Sequence, residues 1–183
     1  MRHIPNILSS FRIVLIPFFV LKVIQGNMFA AALLLILSAL TDMLDGFLAR
    51  RFGWVTNVGK VLDPVADKLT QISVCVLFAI HLAEFWFLFA ILALKELTIM
   101  LFSAYLVKNR VQLEGARWFG KLTTALFYTS MILIALFPAL PVWVVYTLLI
   151  STIICAIGAT LMYIPEFIQH KKRIKPEIEL EIE

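Results

Sequence analysis

The chain has 183 residues, of which 62% are hydrophobic and 15% charged, and its mean hydropathy is +0.95. Apolar side chains would cover every face of a fold with this composition, which excludes an ordinary soluble protein. The net charge of +4 does not indicate a nucleic-acid-binding protein, because the basic residues are dispersed and not interleaved with exposed aromatic residues. The sequence therefore predicts an integral membrane protein, whose partner is the lipid bilayer.

Apolar stretches divide the chain at a spacing of about 20 residues, which is the length needed to cross a hydrocarbon core about 30 Å thick. The first stretch contains Arg12 and Pro17 and ends without a small-residue cleavage site, which favours a retained helix over a signal peptide. Turn or charge signals separate the stretches. The fold class is therefore predicted to be all-α, a bundle of six transmembrane helices at residues 7–25, 28–51, 61–82, 84–107, 117–137 and 141–164.

The distribution of Lys and Arg predicts the orientation of these helices, because basic residues accumulate in short cytoplasmic loops. If both termini are cytoplasmic, Lys22 is the only Lys or Arg predicted on the opposite side of the membrane. The membrane domain is then predicted to cover residues 1–165, followed by a charged cytoplasmic tail at 166–183 in which acidic and aliphatic residues alternate.

Four aspartates, Asp42, Asp45, Asp63 and Asp67, lie near the predicted cytoplasmic face of this apolar chain. A carboxylate at membrane depth is costly and normally faces a polar cavity, a cation or a partner. On helices, the first two and the last two each share a face, so we expect two facing pairs. Carboxylates at this range repel one another and require cations between them. Oxygen ligands favour Mg²⁺, Mn²⁺ or Ca²⁺ over zinc.

The residues around the aspartates favour a ligand site. Gly46 and Ala49 follow Asp42 on its helical face, and Gly59 precedes the second pair, so that a ligand could approach the backbone closely. Small residues at this spacing are also compatible with close helix packing alone. The guanidinium group of Arg50 is suited to bind a phosphate, although it could also serve as an interfacial topology charge.

These residues fit the pattern D-x2-D-G-x2-A-R-x8-G-x3-D-x3-D without a gap, and the pattern resembles the signature of the CDP-alcohol phosphotransferase family. The opening segment, residues 4–17, is similar to that of bacterial phosphatidylglycerophosphate synthases and of the related cardiolipin synthases. The resemblance implies an enzyme of the inner cell membrane, with its active-site cavity at the cytoplasmic face, that transfers a phosphatidyl group from CDP-diacylglycerol to an alcohol and releases CMP. It also suggests a homodimer.

The resemblance further implies a role for each matching residue. Asp42, Asp45 and Asp63 would bind the divalent metal, Mg²⁺ or Mn²⁺, as two ions. Asp67 would deprotonate the acceptor hydroxyl and could also touch the second ion. The CDP pocket would be formed by Asp45, Gly46, Ala49, Arg50 and Gly59.

The acceptor alcohol is indicated less directly by the sequence. If it is glycerol 3-phosphate, its phosphate needs a cationic pocket, for which Arg110, Arg117 and Lys121 are the candidates. Residues 119–124, F-G-K-L-T-T, are similar to a G-K-x-K-T-T stretch of the phosphatidylglycerophosphate synthases but lack its second Lys. Two alternatives remain open: a cardiolipin synthase of the same family that uses phosphatidylglycerol as acceptor, and a divalent-cation channel or transporter.

Overall fold

The computed structural model describes residues 4–54, 59–108 and 117–180 of the chain. These residues form helices and no β-strand, which confirms the all-α prediction for the described part of the chain. The α-helices are α1 (Ile4–Ile24), α2 (Met28–Phe52), α3 (Gly59–His81), α4 (Trp86–Lys108), α5 (Arg117–Leu136) and α6 (Val142–Leu180). A short 3-10 helix, Ala83–Phe85, joins α3 to α4.

Among the described residues, three helical stretches are long and apolar enough to cross a membrane: Ile4–Ile24, Met28–Ala49 and Val142–Leu161. The α3–α4 pair passes the same test only when taken together, and it bends by 116° at its break, so it could count as a fourth span. The apolar part of α5 is shorter, Gly120–Leu136. The helices therefore identify a membrane protein, whereas the number of six membrane spans stays a prediction.

The ends of α1 and α2 lie where the sequence predicts a break. Gly26 has a φ of 70°, a backbone conformation that glycine adopts without steric cost. The side chain of Asn27 accepts a hydrogen bond from the backbone N–H of Ala30 at 3.0 Å and so caps the start of α2. Gly53 ends α2 in the left-handed conformation, with a φ of 64°. The antiparallel α1–α2 hairpin thus follows from local turn chemistry.

The core of the bundle consists mainly of apolar side chains. α1 packs against α2 and α3, α3 packs against α4, and α5 contacts both α2 and α6. Phe78 of α3 lies at the centre of this core, with its ring 5.9 Å from that of Phe89 in an edge-to-face arrangement. Other large apolar side chains, such as Phe18 and Leu21 of α1, are exposed on the outer surface, as expected for contact with lipid.

The last helix is longer than predicted. α6 continues to Leu180 and therefore runs through most of the predicted tail, residues 166–183. A helix of 39 residues is about 58 Å long at 1.5 Å per residue, which exceeds the hydrocarbon thickness, so its C-terminal part extends beyond the apolar stretch. The division into a membrane domain and a tail at residue 165 stays a prediction.

Candidate active site

The structure brings three of the four predicted aspartates together. Asp42 and Asp45 lie on one face of α2, and Asp63 lies near the start of α3. Both α2 and α3 pack against α1. Each offers a carboxylate oxygen, and these oxygens lie within 4.8 Å of one another. The side chain of Asp45 is 3% exposed, whereas those of Asp42 and Asp63 are 31% and 47% exposed. We call Asp42, Asp45 and Asp63 the carboxylate cluster; it is buried on one side and open on the other.

A fully buried arginine of α1 contacts every member of the carboxylate cluster. Nη1 of Arg12 donates a hydrogen bond to Asp42, and Nη2 donates to Asp63 and, at 2.8 Å, to Asp45. The hydroxyl of Ser9, one turn earlier on α1, donates to Asp45 at 3.2 Å. A buried charge requires a partner, and here one guanidinium offsets part of the charge of three carboxylates.

Arg12 was not among the predicted site residues. The sequence does contain a signal for it, because a charged residue in the middle of an apolar helix implies an oppositely charged neighbour. Arg12 is the charged residue of α1 that lies farthest from the helix ends, and the acidic residues nearest in sequence are on α2. The sequence therefore indicates an acidic partner for Arg12, whereas the packing of α1 decides which carboxylates it contacts.

The fourth aspartate, Asp67, lies outside the carboxylate cluster, one turn further along α3 than Asp63. Its Oδ1 accepts a hydrogen bond from Nε2 of Gln71 at 3.1 Å, and its Oδ2 forms an ion pair with Nζ of Lys68 at 3.1 Å. The predicted tetrad is thus divided into a cluster of three and a single carboxylate with its own partners. Asp67 thus contacts residues of its own helix, whereas the other three aspartates contact Arg12 of α1.

The other residues predicted for the CDP pocket lie on α2 and α3, the helices that carry the cluster. Gly46 and Ala49 are half-buried on α2 and Gly59 is half-buried at the start of α3. Arg50 belongs to α2, but its side chain lies outside the described part of the structure. Of the predicted acceptor residues, Lys121 is exposed on α5; Arg110 and the side chain of Arg117 lie outside the described residues.

The donor set of the carboxylate cluster fits a hard divalent cation. It contains only carboxylate oxygens, which Mg²⁺, Mn²⁺ and Ca²⁺ prefer. Arg12 contacts only one oxygen of each carboxylate. It therefore does not block the second oxygen of each from binding a metal ion. The partial exposure of Asp42 and Asp63 gives such an ion a route from solvent.

This fold and this cluster define a helical membrane protein with an acidic, metal-compatible site between its first three helices. The model of the CDP-alcohol phosphatidyltransferase family matches residues 2–163, and the chain belongs to this family. The match includes all four aspartates and confirms the family resemblance predicted from their spacing.

Several curated relatives share the same level of similarity. The chain is 37% identical, over 128 residues, to the CDP-diacylglycerol–glycerol-3-phosphate 3-phosphatidyltransferase of Escherichia coli K12. The aligned part covers 67% of this chain and 70% of the relative. The proteins of the same name from Escherichia coli O157:H7 and from Shigella flexneri serotype 5b show the same identity and coverage.

Proposed function

We propose that this protein transfers the phosphatidyl group of CDP-diacylglycerol to glycerol 3-phosphate, forming phosphatidylglycerophosphate and releasing CMP. The observation that carries the proposal is the carboxylate cluster with Asp67 one turn beyond it, in a chain of the CDP-alcohol phosphatidyltransferase family. The choice of glycerol 3-phosphate is supported by relatives at 37% identity that are named for this reaction. The protein is thus a membrane-bound transferase of phospholipid biosynthesis.

In this proposal, Asp42, Asp45 and Asp63 hold two divalent cations, Mg²⁺ or Mn²⁺, with Asp67 as an additional ligand of the second ion. When bound, the cations neutralise the pyrophosphate of the donor and stabilise the CMP leaving group. The support from the structure is the close approach of the three carboxylates and their all-oxygen chemistry.

Asp67 acts as the general base. The acceptor hydroxyl loses its proton to the carboxylate of Asp67 while its oxygen forms a bond to the β-phosphorus of the donor. The bond between that phosphorus and the bridging oxygen breaks, and CMP leaves with the bridging oxygen and its electron pair. A carboxylate has about four lone-pair sites, so Asp67 can accept this proton while it keeps its contacts with Gln71 and Lys68.

The donor nucleotide binds along the face of α2 that follows the cluster. Asp45 is part of this pocket, and the small residues Gly46, Ala49 and Gly59 let the CDP moiety approach the backbone. Arg50, one turn after Gly46, binds a phosphate oxygen of the donor. The support is the match of each position to the family pattern.

The acceptor phosphate is bound by basic residues of the segment between α4 and α5 and of α5 itself: Arg110, Arg117 and Lys121. Guanidinium and ammonium groups suit a phosphate, and Lys121 is exposed and therefore available. We further propose six membrane spans with both termini cytoplasmic, a site at the cytoplasmic face of the inner membrane, and a homodimer. The distribution of Lys and Arg supports the orientation.

The test is purified protein with CDP-diacylglycerol, Mg²⁺ or Mn²⁺ and a panel of alcohols, in which CMP release and the lipid product are both measured. We expect CMP and phosphatidylglycerophosphate with glycerol 3-phosphate. Product from phosphatidylglycerol instead would identify a cardiolipin synthase. Absence of CMP release with every acceptor would overturn the enzyme proposal.

A further inference from the structure

A second charged cluster lies on the α3–α4 interface, next to Asp67 and apart from the carboxylate cluster. Nζ of Lys68 forms an ion pair with Oε2 of Glu96 at 2.9 Å, and Nζ of Lys95 contacts the other oxygen, Oε1, at 2.5 Å. The side chain of Glu96 is 3% exposed. A buried carboxylate on an apolar helix is costly, and a well-packed apolar side chain would often stabilise the interface as well or better.

The contacts around Lys68 form a closed ring that ends on both oxygens of Asp67. Nζ of Lys68 lies 3.1 Å from Oδ2 of Asp67 and donates a hydrogen bond to Oε1 of Gln71 at 2.9 Å. Nε2 of Gln71 in turn donates to Oδ1 of Asp67. Gln71 is completely buried, so its amide cannot exchange these partners for water. The ring therefore fixes the plane of the Asp67 carboxylate.

Glu96 is the one contact of Lys68 among these that comes from another helix. Asp67, Lys68 and Gln71 all lie on α3, whereas Glu96 projects from α4. Without Glu96, the ammonium group of Lys68 would contact only residues of its own helix. Its flexible four-carbon side chain would then allow it to adopt several positions. Glu96 holds Nζ at the position from which it contacts Asp67.

We propose that Glu96 is a positioning residue for the general base: it acts through Lys68 to orient the carboxylate of Asp67 toward the acceptor hydroxyl. This inference rests on the proposed function, in which Asp67 takes the proton. A displacement of about 1 Å at a reacting group can lower a rate about 100-fold. Loss of the Glu96 charge should therefore lower kcat while substrate binding is kept.

The experiment compares wild type with Glu96→Gln, Lys68→Met and the double variant, in detergent micelles, with rates normalised to the folded fraction from size-exclusion chromatography. We expect Glu96→Gln to lower kcat about tenfold and to leave both KM values within about twofold. If Glu96 acts through Lys68, the kcat of the double variant should match that of Lys68→Met within about twofold. The reason is that Glu96 has no further effect on Asp67 once Lys68 is absent.

Glu84→Gln is the matched control, since Glu84 is exposed just before α4 and the chemical change is the same. Its kcat should equal that of wild type. If Glu96→Gln does not fold, Glu96→Asp carries the test, because it keeps the charge but shortens the side chain; it should lower kcat with unchanged KM.

The outcomes separate this inference from the proposed function. An inactive wild type would overturn both. An active wild type whose kcat equals that of Glu96→Gln, or a double variant with clearly lower kcat than Lys68→Met, would overturn the inference alone. The second result would mean that Glu96 contributes independently of Lys68.

Discussion

Replacing Arg12 with Met should destabilise the metal-free protein strongly, because the variant keeps the carboxylates and loses their internal cation. The main contribution comes from Asp45, whose side chain is 3% exposed. Breaking a buried pair by removing one partner costs about 3–5 kcal/mol. Asp63 is 47% exposed, and pairs of that kind contribute about 0–1 kcal/mol. We therefore expect a loss of about 3–5 kcal/mol in the free energy of unfolding, dominated by Asp45.

The assay is reversible unfolding in mixed detergent micelles, followed by circular dichroism, in EDTA and in Mn²⁺. Arg51→Met is the control, since Arg51 is exposed and contacts the ring of Phe47 at 5.6 Å. An exposed cation–π contact is worth about 0.5–1 kcal/mol, so this control should lose little.

Divalent cations should restore more stability to Arg12→Met than to wild type, because they neutralise carboxylates that Arg12 no longer contacts. Stabilisation by a bound ion grows with its concentration relative to its dissociation constant, so the difference should increase with Mn²⁺ concentration. If Arg12→Met were as stable in EDTA as Arg51→Met, Arg12 would not be the counter-ion of the cluster. If Mn²⁺ stabilised both proteins equally, Arg12 and the metal would not share these carboxylates.

Three further predictions concern the base, a helix end and a helix contact. Asp67→Asn should lower turnover at least about 100-fold, since it removes the proton acceptor. It should keep Mn²⁺ and donor binding, because the three cluster carboxylates remain and the side-chain oxygen of Asn can still ligate the second ion, whereas Asp42→Asn should weaken both binding steps. Isothermal titration and CMP release measure these effects, and full activity of Asp67→Asn would remove Asp67 from its role. Gly53→Ala should cost about 1 kcal/mol of unfolding free energy, because a φ of 64° is unfavourable for Ala; a variant as stable as wild type would contradict this. Ser130→Ala should lower the free energy of unfolding by about 0.6 kcal/mol, because it removes the buried 3.1 Å hydrogen bond to Thr152 between α5 and α6. A loss above about 2 kcal/mol in the same assay would contradict a role limited to one hydrogen bond between helices.

The helices and the carboxylate cluster were largely predictable because their signals are local. Apolar length and the Gly26-Asn27 turn gave α1 and α2 within a few residues of their observed ends. Helical spacing placed Asp42 beside Asp45, and the short link from α2 to α3 explains why Asp63 joins them. The number of membrane spans was harder to predict, since α3 and α4 pass the length and hydropathy test for a membrane span only as a bent pair.

The partners of the aspartates depend on packing and could not be read from spacing. Arg12 is 30 residues before Asp42 and reaches it only because α1 packs against both α2 and α3. Lys95 and Glu96 are neighbours in sequence and contact each other, but Glu96 also contacts Lys68 on α3, which spacing does not predict. Sequence spacing predicts which residues share a face, whereas the rotation of each helix about its axis decides which face meets which neighbour.

The most direct test of the central claim is incorporation of labelled glycerol 3-phosphate into lipid by the purified protein with CDP-diacylglycerol and Mg²⁺ or Mn²⁺. We predict one labelled phosphatidylglycerophosphate for each CMP released, with no product in EDTA and almost none from Asp67→Asn. Label incorporation that is unaffected by EDTA, or an equal rate from Asp67→Asn, would contradict the assignment of the four aspartates to a metal-assisted phosphatidyl transfer.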